Sequence, residues 1–311
     1  MTLLLPGVGA TIYGNLPRDL DTPAGREVIR NCDHVTLHTA ADAGDVRNAA
    51  LVRQIGCRRV WLALPGNYLS RLDLARGRAA AVAEVRRCAR VALDMGAELL
   101  ELNCEGASDG KVVGDWTSAP SDAAEGARLG SLAVDLLDAA RAELVSRCAL
   151  GFTSHDMPGF RIPWKPVLDR VDVHSPQHYP AQAGRTVQQA ELAGRVERSR
   201  GRWEGLVDRG ECPAVMAPRG EAWAPYYQGH GHAVGALVWG LAQASITRLW
   251  AHPGSWSPEA VTAMRLARTL RAEVGFGADA IEGWQQSQRL SVDGVCGPAT
   301  IRSLEARAAR P

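Results

Sequence analysis

Polar side chains spaced two apart on a short apolar run, carboxylates among them, are the first residues here with the means to do chemistry. The run ELLELNCE (98–105) alternates Leu100, Leu102 and Cys104 with Glu101, Asn103 and Glu105. Alternation of period two puts the two sets on opposite faces of a strand, so the polar set points away from the apolar packing. Glu105 ends the run where the chain opens into a long loop, a position from which a carboxyl group can reach a substrate. Glu221, in MAPRGEAW, follows a later strand candidate. Two carboxyl groups flanking a glycosidic bond suffice for its hydrolysis: one protonates the leaving oxygen and the other serves as nucleophile or base. Separations of about 5 Å or about 6.5–9.5 Å distinguish retention from inversion. A salt bridge to a rim arginine is the competing reading of Glu105, and a plain loop carboxylate that of Glu221.

The same alternation turns His38, Thr153, His155, Asp172, His174, Arg248, Trp250 and His252 to the polar face. Asp172 is either a partner of Glu105 or a buried ion-pair partner of Arg248. Asn103, His155, His174, Gln177, Tyr179, Trp250 and His252 are the candidate substrate-binding residues, with Trp250 a floor on which a sugar ring could stack. Trp116, Trp164, Trp223 and Trp256 fall in long connections and could add further stacking surfaces. His38, Glu105, His155, Asp172, His174, Glu221 and His252 could instead hold a metal. No HExxH occurs, and His230-Gly-His232 is only a minimal pair, so no metal and no cofactor is expected. No GxGxxG follows any strand.

These residues need elements to position them. Strand candidates are ATIYG (10–14), HVTLHT (34–39), RVWLALP (59–65), ELLELNCE (98–105), LGFTSH (150–155), VDVHSP (171–176), PAVMAP (213–218) and ITRLWAH (246–252). Helical periodicity lies between them, as in Val82, Val85, Ala89, Ala92 and Met95, or Leu129, Leu132, Leu136 and Ala140. Asp122-x-x-Glu125 reads as a capping box. Eight strands alternating with helices predict an α/β fold, a (β/α)8 TIM barrel over residues 1–274 with a small α-helical appendage over 275–311. Helix-to-strand links such as MGAE are short, while strand-to-helix links (106–120, 156–168, 177–187, 219–231) are long and rich in Pro and aromatics. In this barrel the long links build the active-site face. An inert barrel fills its interior mainly with Val, Ile and Leu; buried polar groups there are costly unless paired or used.

Composition narrows the partners. Across 311 residues, 35 Lys and Arg against 34 Asp and Glu leave a net charge of +1, which gives no electrostatic footing for nucleic acid or an acidic membrane. The longest apolar stretch, AVGALVWGLA (233–242), is too short to span a bilayer, so no membrane insertion is expected. The start, MTLLLPGVGA, lacks the basic region and length of a signal peptide. Seven scattered cysteines with no CxxC argue against a disulfide framework. The expectation is synthesis in the cytosol. Nothing in the sequence speaks to oligomeric state.

The C-terminal run AIEGWQQSQRLSVDGVCGPATIRSLEARA (280–308) resembles the helical peptidoglycan-binding domain found on cell-wall hydrolases. The matching positions are Trp284, Gln285, Leu290, Val292, Asp293, Gly294, Gly297, Pro298, Thr300 and Leu304. Asp293-Gly294 suits a tight turn and Pro298 the first turn of a helix; Leu290, Val292, Ile301 and Leu304 can form a small core. The match spans about 30 residues, part of a module, and Trp284 stands where Phe is usual. The resemblance implies wall binding, with Trp284, Gln285, Asp293 and Gly294 as its residues. Residues 151–180, with Asp172, Pro176, Gln177 and Tyr179, look like a segment of barrels that commonly carry such modules. Asn103-x-Glu105 is similar to the acidic D-x-E of chitinase-like and lysozyme-like barrels, with Asn in place of Asp.

Together these resemblances imply a cell-wall lytic enzyme of the endolysin kind, a lysozyme- or glucosaminidase-like glycosidase acting on bacterial peptidoglycan. It would leave the cytosol through a membrane lesion or travel on a virion. Glu105 would be the general acid, and Glu221 or Asp172 its partner. The alternatives are a non-catalytic wall-binding or virion-associated protein with a degenerate barrel, and a metal-dependent sugar isomerase-like barrel.

Overall fold

The computed structural model describes residues 7–13, 22–65, 68–103, 122–155, 162–177, 233–242, 246–251, 258–277 and 279–310. In chain order these form β1 (Gly7–Tyr13), α1 (Pro23–Asn31), β2 (His34–His38), α2 (Ala43–Ile55) and β3 (Arg59–Leu64). They continue with α3 (Tyr68–Arg76), α4 (Arg78–Asp94), β4 (Leu99–Asn103), α5 (Ala123–Leu144), β5 (Ala149–His155), α6 (Trp164–Leu168) and β6 (Val173–Gln177). The last are α7 (Ala233–Ala242), β7 (Ile246–Ala251), α8 (Pro258–Val274), α9 (Ala280–Ser287) and α10 (Pro298–Ala308).

The helices start where the sequence offers caps. Thr22 Oγ1 accepts the Gly25 N–H at 3.0 Å ahead of Pro23, and Asp42 with Asp45 forms a full capping box on α2. Asp122 caps α5 through the Glu125 N–H at 2.8 Å, at the expected position.

All seven described strands are parallel, in the order β6-β5-β4-β3-β2-β1-β7. The first strand therefore lies between its successor and the last, the adjacency that a sheet curling back on itself requires. With helices on the outside, this is the (β/α)8 TIM-barrel architecture. The strand candidate at 213–218, which completes the count of eight, lies outside the described residues. Among the described residues no helix is long and apolar enough to cross a membrane.

Two cores separate the inside from the outside. Val8, Ile12, Leu37, Leu62, Leu100, Leu102 and Phe152 face the helices and belong to one large cluster. Trp61, Leu99, Ala149, Val173 and Ile246 make a second, smaller one. Four of those five are the first residues of their strands, so this cluster is the floor of the barrel at its N-terminal end. Trp164, expected in an exposed loop, opens α6 and packs edge-on against Phe152, with ring centroids 5.8 Å apart.

The appendage shares the outer core. Ile281, Trp284, Cys296 and Leu304 are buried in the same cluster as the barrel helices. Val292, expected in a small core with Leu290, Ile301 and Leu304, is 55% exposed instead, whereas Ile281 and Trp284 are buried.

Candidate active site

Above the apolar floor the barrel interior is polar. Thr36, Glu101, Thr153, Ser175 and Arg248 are all buried there, on five different strands. Arg248 of β7 pairs with Glu101 of β4, and both side chains are wholly buried. Its Nη1 and Nη2 also donate to Thr36 Oγ1 and Thr153 Oγ1, each at 3.3 Å. Higher still, at the C-terminal ends of β4 and β2, Asn103 Nδ2 lies 3.4 Å from His38 Nε2. This end of the strands is where barrel enzymes work.

The sequence-predicted residues divide. Asn103, His155 and Gln177 each end a strand, and Trp250 is the penultimate residue of β7. The backbone of His155 pairs with Gln177, and that of Trp250 with Thr11, so the structure gathers these positions on one end of the barrel. Glu105, Tyr179, Glu221 and His252 lie outside the described residues.

Asp172 and His174 are corrections. The inward residues of β6 are Val173 and Ser175, by register with Gly151 and Thr153. His174 faces the helices instead and bonds Ser154 Oγ at 2.7 Å. Asp172 precedes β6 at the N-terminal end, where its carboxylate accepts from Arg141 at 2.7 Å and from the Leu150 N–H at 2.8 Å. It ties a helix to the barrel floor, far from the mouth, and it is not the partner of Arg248. Glu101 takes that place, although sequence reasoning recognised it only as an inward carboxylate. Alternation alone turned both Glu101 and Asp172 inward, and only the strand register tells them apart.

Asp172 and His174 lie on the outside, so neither belongs to an interior His/carboxylate set that could hold a metal. Among the described residues no three His, Cys, Asp or Glu side chains converge as a metal site needs. The five described cysteines are buried; burial pushes the Cys57 thiol up to about 11 and those of Cys88, Cys148 and Cys296 to about 12. Such thiols stay protonated and make poor nucleophiles.

Beneath the pair, His34 stacks on Trp61 with ring centroids 3.6 Å apart. Its ring fills the side-chain space of Gly9, where an added Cβ would stand 2.1 Å from His34 Nε2. Neither ring nitrogen has a partner among the described residues. Burial, then the positive charges of Arg59, Arg248 and Arg271, hold its pKa well below the ordinary value. Folded His34 is thus neutral, while in the unfolded chain it titrates near 6.5. Above that pH neither state takes up a proton; below it only the unfolded chain does. Stability will therefore fall as pH drops below about 6.5, with up to ~1.4 kcal/mol per pH unit from this group. Urea unfolding at pH 7.5 and 5.0 checks this: His34→Leu will flatten the dependence, and an unchanged slope would contradict it.

In the appendage, Trp284 and Gln285 are structural. Trp284 is 1% exposed and its Nε1–H donates to Ser303 Oγ at 2.7 Å. The Gln285 amide donates to Asp293 Oδ1 at 2.7 Å and to the Val295 carbonyl at 3.0 Å, and its oxygen accepts the N–H groups of Asp293 and Gly294. Asp293 accepts in turn from the Val295 N–H, which with the Gln285 amide lowers its pKa. Gly294 adopts φ +67°, the left-handed region its turn requires. Trp284 and Gln285 are thus enclosed, while Asp293 sits at the surface.

The fold is that of a (β/α)8 barrel, a scaffold that hosts many chemistries. No family model matches the chain, and no curated protein matches it. Solved structures do. A GH5_18 glycoside hydrolase variant from Bifidobacterium longum, in complex with Manβ1-4GlcNAc, is similar at a TM-score of 0.60 and 12% identity, over 86% of this chain and 79% of that one. The GH18 chitinase ChiB of Flavobacterium johnsoniae is similar at 0.55 and 9%, over 84% and 94%. An endo-β-N-acetylglucosaminidase variant from Cordyceps militaris is similar at 0.51 and 11%, over 83% and 91%.

Proposed function

We propose that this protein is a glycoside hydrolase that cleaves the glycan strand of bacterial peptidoglycan. One observation carries the reading: β4 ends at the barrel mouth in Asn103 beside His38, and Glu105 follows two residues later in the sequence. Structures sharing the fold include a chitinase and an endo-β-N-acetylglucosaminidase, enzymes whose names point to N-acetylglucosamine linkages of the type peptidoglycan also contains. Glu105 is the general acid. With Asp172 engaged at the floor, Glu221 is the remaining candidate for nucleophile or base. Asn103, His155, Gln177, Tyr179, Trp250 and His252 would line the sugar site.

Wall binding rests on the resemblance of residues 280–308. Since Trp284 and Gln285 are enclosed, contact with the wall would fall to Asp293 and the exposed Val292 and Val295 beside it.

A second reading, a non-catalytic wall binder, is favoured by Asn103 standing where chitinase-like barrels carry Asp. Clearing of a cell-wall suspension separates the two. The wild type will clear it and Glu105→Gln will be slower by at least about 100-fold, the scale of a lost general acid. Equal pull-down of both proteins by walls, with no clearing by either, would establish the binder.

A further inference from the structure

The Arg248–Glu101 pair asks for an explanation. β4 and β7 are not neighbours: β3, β2 and β1 lie between them along the sheet. The contact therefore crosses the barrel interior rather than linking adjacent strands. Thr36 and Thr153 brace the guanidinium from two further walls, at 3.3 Å each. Yet Glu101 Oε1 and Arg248 Nε have no partner among the described residues. Unmet buried polar atoms are destabilising, and a buried ion pair commonly adds no stability over an apolar pair of similar volume. Stability alone does not account for a polar strut in this place.

Geometry does. One strand period above Glu101 on β4 is Asn103, 2% exposed and in contact with His38 at the mouth. One period above Thr36 on β2 is His38 itself. The strut thus grips β4 and β2 directly below the two residues that meet at the mouth, and it holds both against the opposite wall.

We propose that Arg248 and Glu101 are positioning residues: the cross-barrel strut fixes the height and orientation of Asn103 beside His38. The proposal rests on the glycosidase reading for its kinetic consequence, though not for the placement of Asn103.

The test is the double variant Glu101→Leu/Arg248→Met, which removes both charges together and leaves neither stranded. It is expected to fold, to keep KM on solubilised peptidoglycan fragments within about 3-fold, and to lose about 10- to 100-fold in kcat, the scale of a sub-ångström to 1 Å misplacement. The side-chain amide resonances of Asn103 will shift. Arg248→Lys keeps the charge but not the fork, and its kcat will fall between those of the double variant and the wild type. A folded double variant with wild-type kcat and unmoved Asn103 resonances would overturn the proposal. If the double variant does not fold, Arg248→Lys decides: wild-type kcat there overturns it, and a lowered kcat at unchanged KM supports it. A wild type that releases no sugar fragment contradicts the glycosidase reading alone, and the Asn103 resonances then decide the positioning claim by themselves.

Discussion

Arg248→Met on its own will cost the protein about 3–5 kcal/mol, the loss expected when one member of a buried pair is removed and the other charge is left behind. The stranded group is Glu101, which has no exposure to solvent and already one oxygen without a partner among the described residues. The two threonines that brace the guanidinium lose their donor in the same step. Adding Glu101→Leu removes the stranded carboxylate, and most of the lost stability will return. Urea unfolding of the wild type, the single and the double variant checks both halves. A single-variant loss below ~1 kcal/mol would mean that the carboxylate reaches water.

Gly235→Ala will weaken the docking of the appendage on the barrel. Gly235 lies on α7 against the turn that precedes α10, and a Cβ there would stand 1.9 Å from the carbonyl oxygen of Cys296. That oxygen belongs to backbone, and the turn is held by the amide of Gln285 and by Asp293. It cannot yield by rotating a side chain. Overpacking of this kind costs about 1–3 kcal/mol and sometimes more, which offsets part of what the shared burial of Ile281, Trp284 and Leu304 contributes to docking. Hydrogen exchange will show α9 and α10 opening ahead of the barrel strands. Unchanged protection of α9 and α10 would contradict a tight docking at Gly235.

Much of this was readable from the residues. The seven described strands fall within a few positions of the expected runs, because strand-forming apolar segments bounded by turn residues recur at barrel spacing. The polar phase of β4 was legible because Leu100 and Leu102 contrast sharply with Glu101 and Asn103. β6 was not. In VDVHSP the valines look like the helix-facing set, whereas Val173 belongs to the apolar floor inside the barrel. A parallel strand is buried on both faces, so apolarity alone does not fix its phase. Asp172 and His174 were displaced to the outside by that single slip.

The appendage shows a different limit. Trp284, Gln285, Asp293 and Gly294 stand out as a motif, but a pattern does not distinguish residues that build a turn from residues that touch a ligand. Gln285 spends its amide on the turn itself. Arg248 was read as inward correctly. Its partner required knowing which strands face each other across the barrel, which spacing along the chain does not encode.

The most direct measurement of the central claim is mass spectrometry of the soluble fragments released from purified peptidoglycan, run with the wild type and with Glu105→Gln. The account predicts sugar fragments carrying new reducing ends, with masses that name the bond, and their disappearance in the variant. Free stem peptides, or new reducing ends that persist undiminished in Glu105→Gln, would contradict it.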